Sequence, residues 1–315
     1  QRRKPARGRR RWPRVVGVLA AMLGVVVLLS GWWVESRIQH VSALSGRPGT
    51  PGQTYLIVGS DARDGWRDDG TVGARTDTIM VLHQPTSGPT ALISLPRDSY
   101  VNIPGYGGNK INAAFAFGGP HLLVETVEEL TGLTIDRYVE VGFLGVEGMV
   151  DALGGVELCY DHDVDDPYSE MVWTAGCHDV DGAAALAFSR MRYADPIGDI
   201  GRVQRQQQVV AAVAKGITSA STVTNPAKAR RVASAGLDSF RVSEGTHAWD
   251  LARMARVFKA AQGEGAVKGT PPIATIDHRV DGVGSTVLLD PDQATAFWAA
   301  IAAGTFEPGT VVGGY

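Results

Sequence analysis

Residues Thr78–Asp98, TIMVLHQPTSGPTALISLPRD, contain two short apolar runs, Thr78–His83 and Ala91–Leu95, separated by QPTSGP. Pro and Gly punctuate the connector, so the spacing predicts two strands joined by a tight hairpin. A third run of the same kind, Tyr55–Gly59 (YLIVG), lies upstream. All three are short and nearly continuously apolar, the pattern of strands covered on both faces. If the first pairs antiparallel with the second, three segments meet at one edge: Ser60-Asp61, Arg75-Thr76-Asp77 and Pro96-Arg97-Asp98. Taken singly, these are ordinary loop charges; converging, they form a candidate site. Asp61 and Asp77 are hard oxygen donors of the kind Mg2+ prefers beside a phosphate, with Mn2+ as the alternative ion.

Downstream, helical and strand-like patterns alternate. Lys110-Ile111-Asn112 opens a short helical turn that ends in glycine, and His121–Leu130 reads as an amphipathic helix stopped by Gly132. Tyr138–Val141 reads as a strand, Leu144–Leu153 as a helix and VELCY (156–160) as a strand. Helices near Pro226–Ala235, at Trp249–Ala261 and from Pro291, with strand-like Ile273–Ile276 and Thr286–Leu289, complete the chain. The alternation predicts an α/β fold, a three-layer α-β-α domain with a mixed central sheet.

The second charged stretch is Phe188–Gln208, FSRMRYADPIGDIGRVQRQQQ, with four arginines: Arg190, Arg192, Arg202 and Arg205. Asp181–Phe188 before it reads as a short helix. Asp199 is placed to cap a second helix after the Pro-Ile-Gly turn. On a helical period Val209, Val210, Val213 and Ile217 form an apolar stripe. Arg202 and Gln206 fall in phase with it, and Arg205 falls about 60° off, given about 100° per residue. A guanidinium aimed inward needs a partner. One such arginine reads as a structural ion pair; four around an Asp-rich turn read as an anion site, because the planar fork matches phosphate.

The chain has 315 residues, with 30 basic and 33 acidic side chains. The first fourteen residues hold eight of the basic ones and no acid, leaving 22 basic against 33 acidic beyond them. That acidic balance excludes a nucleic-acid-binding main domain. Residues Val15–Val34 carry no charge, and twenty helical residues span the roughly 30 Å hydrocarbon core. Trp12, Trp32 and Trp33 sit at the ends of this segment, and the basic arm places the N-terminus in the cytoplasm. The small residues Val41-Ser42-Ala43 lie too far along for a signal-peptide cleavage site, so an uncleaved anchor is expected. The expected organisation is a basic cytoplasmic arm (1–14), a transmembrane anchor (15–34), a linker (35–53), an extracytoplasmic domain (54–306) and a tail (307–315).

Cys159 and Cys177 are the only cysteines. Outside the cytoplasm an even pair reads as a disulfide; a metal site with His162 and His178 is the alternative, without CxxC spacing. The acidic run DHDVDD (161–166) lacks the Gly and Glu of a calcium loop and reads as solvated. His247 and His278 read as surface or structural residues. GxSxG, GxxxxGK[ST] and HExxH are absent from the sequence, against a serine hydrolase of that type, a P-loop NTPase or a zincin.

Taken in order, Gly59-Ser60-Asp61, Arg75-Thr76-Asp77-Thr78, Leu95-Pro96-Arg97-Asp98, Lys110-Ile111-Asn112, Arg190-Met191-Arg192 and Gly201-Arg202-Val203-Gln204-Arg205-Gln206 resemble the LytR-CpsA-Psr family of bacterial envelope proteins. The resemblance runs from about Tyr55 to Val213. It implies a membrane-attached phosphotransferase that moves a glycopolymer from a polyprenyl (pyro)phosphate carrier to a peptidoglycan hydroxyl, with an apolar pocket for the carrier lipid. By position it implies Asp61 and Asp77 as magnesium ligands. It implies Arg75, Arg97, Arg190, Arg192 and Arg202 as a phosphate clamp, assisted by Gln206 and Lys110. Asp77 is the candidate base for the acceptor hydroxyl. The rival readings are a prenyl pyrophosphate phosphohydrolase and a non-catalytic, membrane-anchored lipid- or glycan-binding regulator.

Overall fold

The computed structural model describes residues 31–60, 76–191, 194–195 and 198–313; of Asp77, Arg202 and Gln206, among others, only the backbone is described. Asp61, Arg75 and Arg192 lie outside the described residues, as does the expected anchor apart from its last four positions. Residues 31–35 are helical, and among the described residues no helix is long and apolar enough to cross a membrane.

Antiparallel pairing of the first three runs, which the hairpin reading requires, is what the fold is built on. Strands β1 (Gln39–Val41), β2 (Gln53–Ser60), β3 (Thr76–Gln84), β4 (Ala91–Leu95), β7 (Arg137–Gly142), β12 (Phe240–Ser243), β13 (Val267–Gly269) and β16 (Val311–Val312) form one mixed sheet. Their order is β1-β12-β7-β2-β3-β4-β13-β16. β2 pairs antiparallel with β3 and β3 with β4, while β2 and β7 run parallel. Smaller hairpins lie outside the sheet: β5 (Tyr100–Ile103) with β6 (Gly107–Lys110), β8 (Val156–Tyr160) with β11 (Gly176–Val180), β9 (Val164–Asp166) with β10 (Met171–Trp173), and β14 (Ile273–Val280) with β15 (Gly284–Leu289).

Each central strand is apolar on both sides because each side has its own helical cover. Leu56, Val58, Ile79, Val81, Ile93 and Leu95 face one way and pack with helix α1 (Ile111–Thr131) and, through Phe297, Trp298 and Ile301, with α8 (Pro291–Ala303). Tyr55, Ile57 and Leu82 face the other way, onto Val257 and Ala261 of α7 (Ala248–Gln262). Each large apolar side chain removed from water contributes about 1.5–3 kcal/mol, so both layers are driven by the same pattern. α1 breaks at Gly118-Gly119, where Gly119 takes φ 64 and Pro120 restarts the helix. The predicted short turn and following helix are thus two halves of one element.

The remaining helices, α2 (Phe143–Leu153), α3 (Gly182–Arg190), α4 (Gly198–Thr218), α5 (Ala220–Val223) and α6 (Pro226–Asp238), complete the fold. α2, α3 and α4 build a second core with β8–β10, centred on Val150, Leu158, Phe188, Met191, Val209 and Val213.

Three expectations change. Gln39–Val41, inside the expected linker, is an edge strand that pairs with β12 about two hundred residues away. The acidic run is only partly a solvated loop: Asp161, Asp163 and Asp165 are exposed, but Val164–Asp166 pairs with Met171–Trp173, and buried Asp166 accepts hydrogen bonds from Tyr168 N (3.1 Å) and Ser169 Oγ (2.7 Å). The helix expected to be capped by Asp199 already begins at Gly198.

Candidate active site: a charged sheet edge and an arginine turn

The sheet brings the predicted edge together. Ser60, the last residue of β2, lies opposite Thr76 at the start of β3 and Gly142 at the end of β7, and Ile79 lies opposite Leu95 at the end of β4. Asp61 follows Ser60 directly. The β2–β3 register steps from Gly59↔Thr78 to Ser60↔Thr76, so Asp77 is the extra residue of a β-bulge. Bulges locally bend a strand and re-aim a side chain, and this one falls on a predicted metal ligand. The buried Thr76 hydroxyl finds no hydrogen-bond partner among the described residues. Those residues include no group of three or more acid, His or Cys side chains that could hold a metal. The donor chemistry still suits Mg2+, since two carboxylates follow facing strand positions and a buried unpaired hydroxyl sits between them in the chain.

Behind the edge lies a carboxylate that the sequence reading missed. Glu140, buried in β7, accepts from Ser60 Oγ (2.5 Å) and from Tyr138 OH (3.1 Å). Burial and the Glu140 carboxylate push the Tyr138 phenol far above its ordinary range, so it stays a donor. The available signal was the i, i+2 spacing of Tyr138 and Glu140, which puts both on one face of a strand.

Arg97 and Lys110 come together around Asp98. Arg97 Nε lies 3.5 Å from Asp98 Oδ2, and Lys110 Nζ lies 2.9 Å from Oδ1. Backbone bonds fix this corner: Ile111 N donates to Ser99 O (2.8 Å) and Asn112 N to Arg97 O (3.2 Å), which satisfies first-turn donors of α1.

The arginine turn is arranged differently from the helical-phase reading. Arg205, which the helical phase set about 60° off the stripe, faces the interior. Its guanidinium pairs with Asp195, donates through Nε to Phe188 O (3.0 Å) and also bonds Met191 O. Arg205 and Asp195 side chains are only 4% and 3% exposed, so this is the structural ion pair. The true inward stripe is Gly201, Arg205, Val209 and Val213, whereas Val210 and Ile217 are 62% and 40% exposed. Arg205 therefore closes the C-terminal end of α3, where Arg190 stands in the last turn. Asp181 caps the other end of α3, accepting from Ala184 N at 2.9 Å.

A cavity of about 530 Å3 opens beside this turn, lined by Tyr160, His162, Asp195, Arg205, Gln208 and the Cys159–Cys177 disulfide. The Arg205 guanidinium lies 5.6 Å from the Tyr160 ring centroid. Burial and the Asp195 charge raise the Tyr160 phenol. The two cysteines face each other across β8 and β11 and are joined there. α2 starts directly after Gly142 at the sheet edge and packs against both α3 and α4. It is the element that joins the edge to the arginine turn.

The mixed α/β sheet, with Arg97, Asp98 and Lys110 at one edge, is joined through α2 to the turn that Arg205 closes. The chain belongs to the LytR_cpsA_psr family, whose model matches residues 35–266 and so extends past Val213 at its C-terminal end. It is 42% identical over 298 residues to the probable cell wall biosynthesis protein LcpB of Corynebacterium glutamicum, covering 91% of this chain and 70% of that protein. It is 34% identical over 247 residues to the polyisoprenyl-teichoic acid–peptidoglycan teichoic acid transferase TagT of Bacillus subtilis, covering 71% of this chain and 76% of that protein. A LytR-Csp2A-Psr enzyme from Actinomyces oris shares the fold, with a TM-score of 0.59 and 23% identity over 84% of this chain and 96% of that one.

Proposed function

We propose that this chain transfers a glycopolymer from a polyprenyl (pyro)phosphate carrier to a hydroxyl of peptidoglycan, outside the cytoplasmic membrane. Membership of the family and the names of its relatives support transfer between carrier and wall. The observation that carries the reading onto this chain is the convergence of β2, β3 and β4 on one edge, with Asp77 at a bulge and Arg97 and Lys110 around Asp98.

Transfer at phosphorus needs charge neutralisation and positioning more than a protein nucleophile. The acceptor oxygen bonds to the phosphorus that carries the glycopolymer. The bond from that phosphorus to the carrier breaks, and the carrier leaves as polyprenyl phosphate. Asp77 takes the acceptor's proton. Arg75, Arg97, Arg190, Arg192 and Arg202, with Lys110 and Gln206, hold the phosphate oxygens and offset charge that builds on them. Asp61 and Asp77 would hold Mg2+, or Mn2+, which when bound supplies a Lewis acid at the phosphates. The anchor at Val15–Val34 keeps the domain beside a carrier that stays in the bilayer.

The test is transfer from a lipid-linked glycopolymer by the membrane-reconstituted chain, with and without peptidoglycan. Arg190→Ala and Arg202→Ala should abolish attachment while the protein stays folded. Normal attachment by both variants sinks the reading, and release of free polymer regardless of acceptor would favour hydrolysis.

A further inference from the structure

The chain enters the domain through a set of contacts that fix which surface lies beside its point of entry. Arg230 of α6 sits over Trp33, 5.4 Å from the ring centroid. Glu35 accepts from His247 Nδ1 (2.6 Å) and from Ala248 N (3.1 Å) at the start of α7. Arg37 pairs with Asp238 at the end of α6 at 3.2 Å. The surface next to residues 33–37 is therefore built by α6 and the first turn of α7.

α7 is amphipathic in a particular way. Met254, Val257, Phe258 and Ala261 lie on the sheet. Trp249, Arg253, Arg256 and Lys259 recur at helical spacing on the opposite side, all exposed, with exposed Ala252 and Ala260 between them. Trp249 is 66% exposed and adjoins the residue that Glu35 caps. α6 adds Lys228, Arg230 and Arg231. The two acids of these helices are already engaged, Asp238 by Arg37 and Asp250 by Arg137 at 3.4 Å. Six basic residues thus collect on two helices of a chain that beyond residue 14 has 22 basic against 33 acidic residues.

We propose that the exposed side of α6 and α7 is a bilayer-docking face that binds anionic lipid headgroups and seats the domain on the membrane beside its anchor. The inference rests on the anchor reading of Val15–Val34. A tethered surface needs only weak contacts, because the tether supplies a high effective concentration. Basic side chains with an interfacial tryptophan at one end are the composition that such a surface uses. The charge complementarity favours lipid headgroups on geometric grounds as well, since the face adjoins the segment that follows the apolar stretch.

The test uses the full chain in vesicles of phosphatidylcholine with or without phosphatidylglycerol. A fluorophore is placed at Ala260→Cys on the face, or at Glu307→Cys near the opposite sheet edge. Brominated lipid should quench the Ala260 label several-fold more than the Glu307 label in anionic vesicles. Arg253→Glu/Arg256→Glu/Lys259→Glu should remove that difference, and so should phosphatidylcholine alone. A chain that fails to float with vesicles overturns the anchor reading and the docking face with it. A chain that floats but leaves Ala260 unquenched overturns the docking face alone. Binding of the face to a soluble anionic polysaccharide without such quenching also overturns it.

Discussion

Arg205 and Asp195 form a buried ion pair that ties the α3–α4 turn to the end of α3. Removing either charge leaves the other buried without its counter-ion, and breaking a buried pair from one side costs about 3–5 kcal/mol. Arg205→Ala and Asp195→Asn should each lower unfolding free energy by an amount near that range. The double variant should lose less than the two single losses combined. Gly201→Ala should act in the same direction, because an added Cβ would collide with the Asp195 carboxylate. Denaturant titrations with unchanged slopes check all of these, and near-additive losses would show that the pair is not coupled.

The three central strands were legible because each carries apolar residues toward both faces, a signal that needs no partner to be read. The inward face of α4 was not. Valine and isoleucine occur on both sides of that helix, so hydrophobicity alone left its phase open by about one residue. The close fit of Gly201 against Asp195 and the burial of Val209 and Val213 decide it. That shift turns Arg205, which the helical phase had set off the inward face, into the buried member of the turn. β1 was illegible for a different reason. Gln39-His40-Val41 has no apolar pattern of its own and becomes a strand through β12, which offers it an edge. The bulge at Asp77 exists only in the pairing of two strands and has no trace in either alone.

The Cys159–Cys177 disulfide closes a segment with a sequence separation of 18. Constraining a loop of that size in the unfolded chain stabilises the fold by about 3 kcal/mol in the chain-entropy model. Cys159 N also ties the segment to α4 by donating to Gln208 Oε1 at 3.3 Å. Cys159→Ala/Cys177→Ala should therefore lower Tm by several degrees and loosen the wall of the cavity. Thermal unfolding with and without reductant checks it: reductant should lower the Tm of the parent chain and leave the double variant unmoved.

His83 lies buried in β3, with Nδ1 3.0 Å from Thr54 Oγ1. Burial holds its imidazole below the ordinary histidine value, which is about 6.5. The unfolded chain then takes up a proton before the folded one as pH falls. His83 thus contributes stability above about pH 6.5 that is progressively lost below it. His247 has the opposite sign: its hydrogen bond to Glu35 raises its value, so its contribution fades as pH rises. Tm measured between neutral and mildly acidic pH should fall for the parent chain and fall less for His83→Gln. Parallel curves for the two would remove His83 from the acid response.

Lys110 and Arg97 share Asp98 at an edge where all three side chains are about one-third exposed. Ion pairs this open contribute roughly 0–1 kcal/mol to stability, so the fold alone gives little reason for two cations at one carboxylate. Under the proposed function their use is positional: Asp98 would hold both at the edge, so that an arriving phosphate meets donors already in place. Lys110→Ala should consequently leave the denaturation midpoint nearly unchanged. It should lower kcat/KM for glycopolymer transfer by about 10²-fold, the scale for loss of one preorganised donor at a developing charge. Lys110→Arg should recover part of that loss. Equal losses of stability and activity would instead make Lys110 a structural member of the corner, leaving Arg97 as its only phosphate contact.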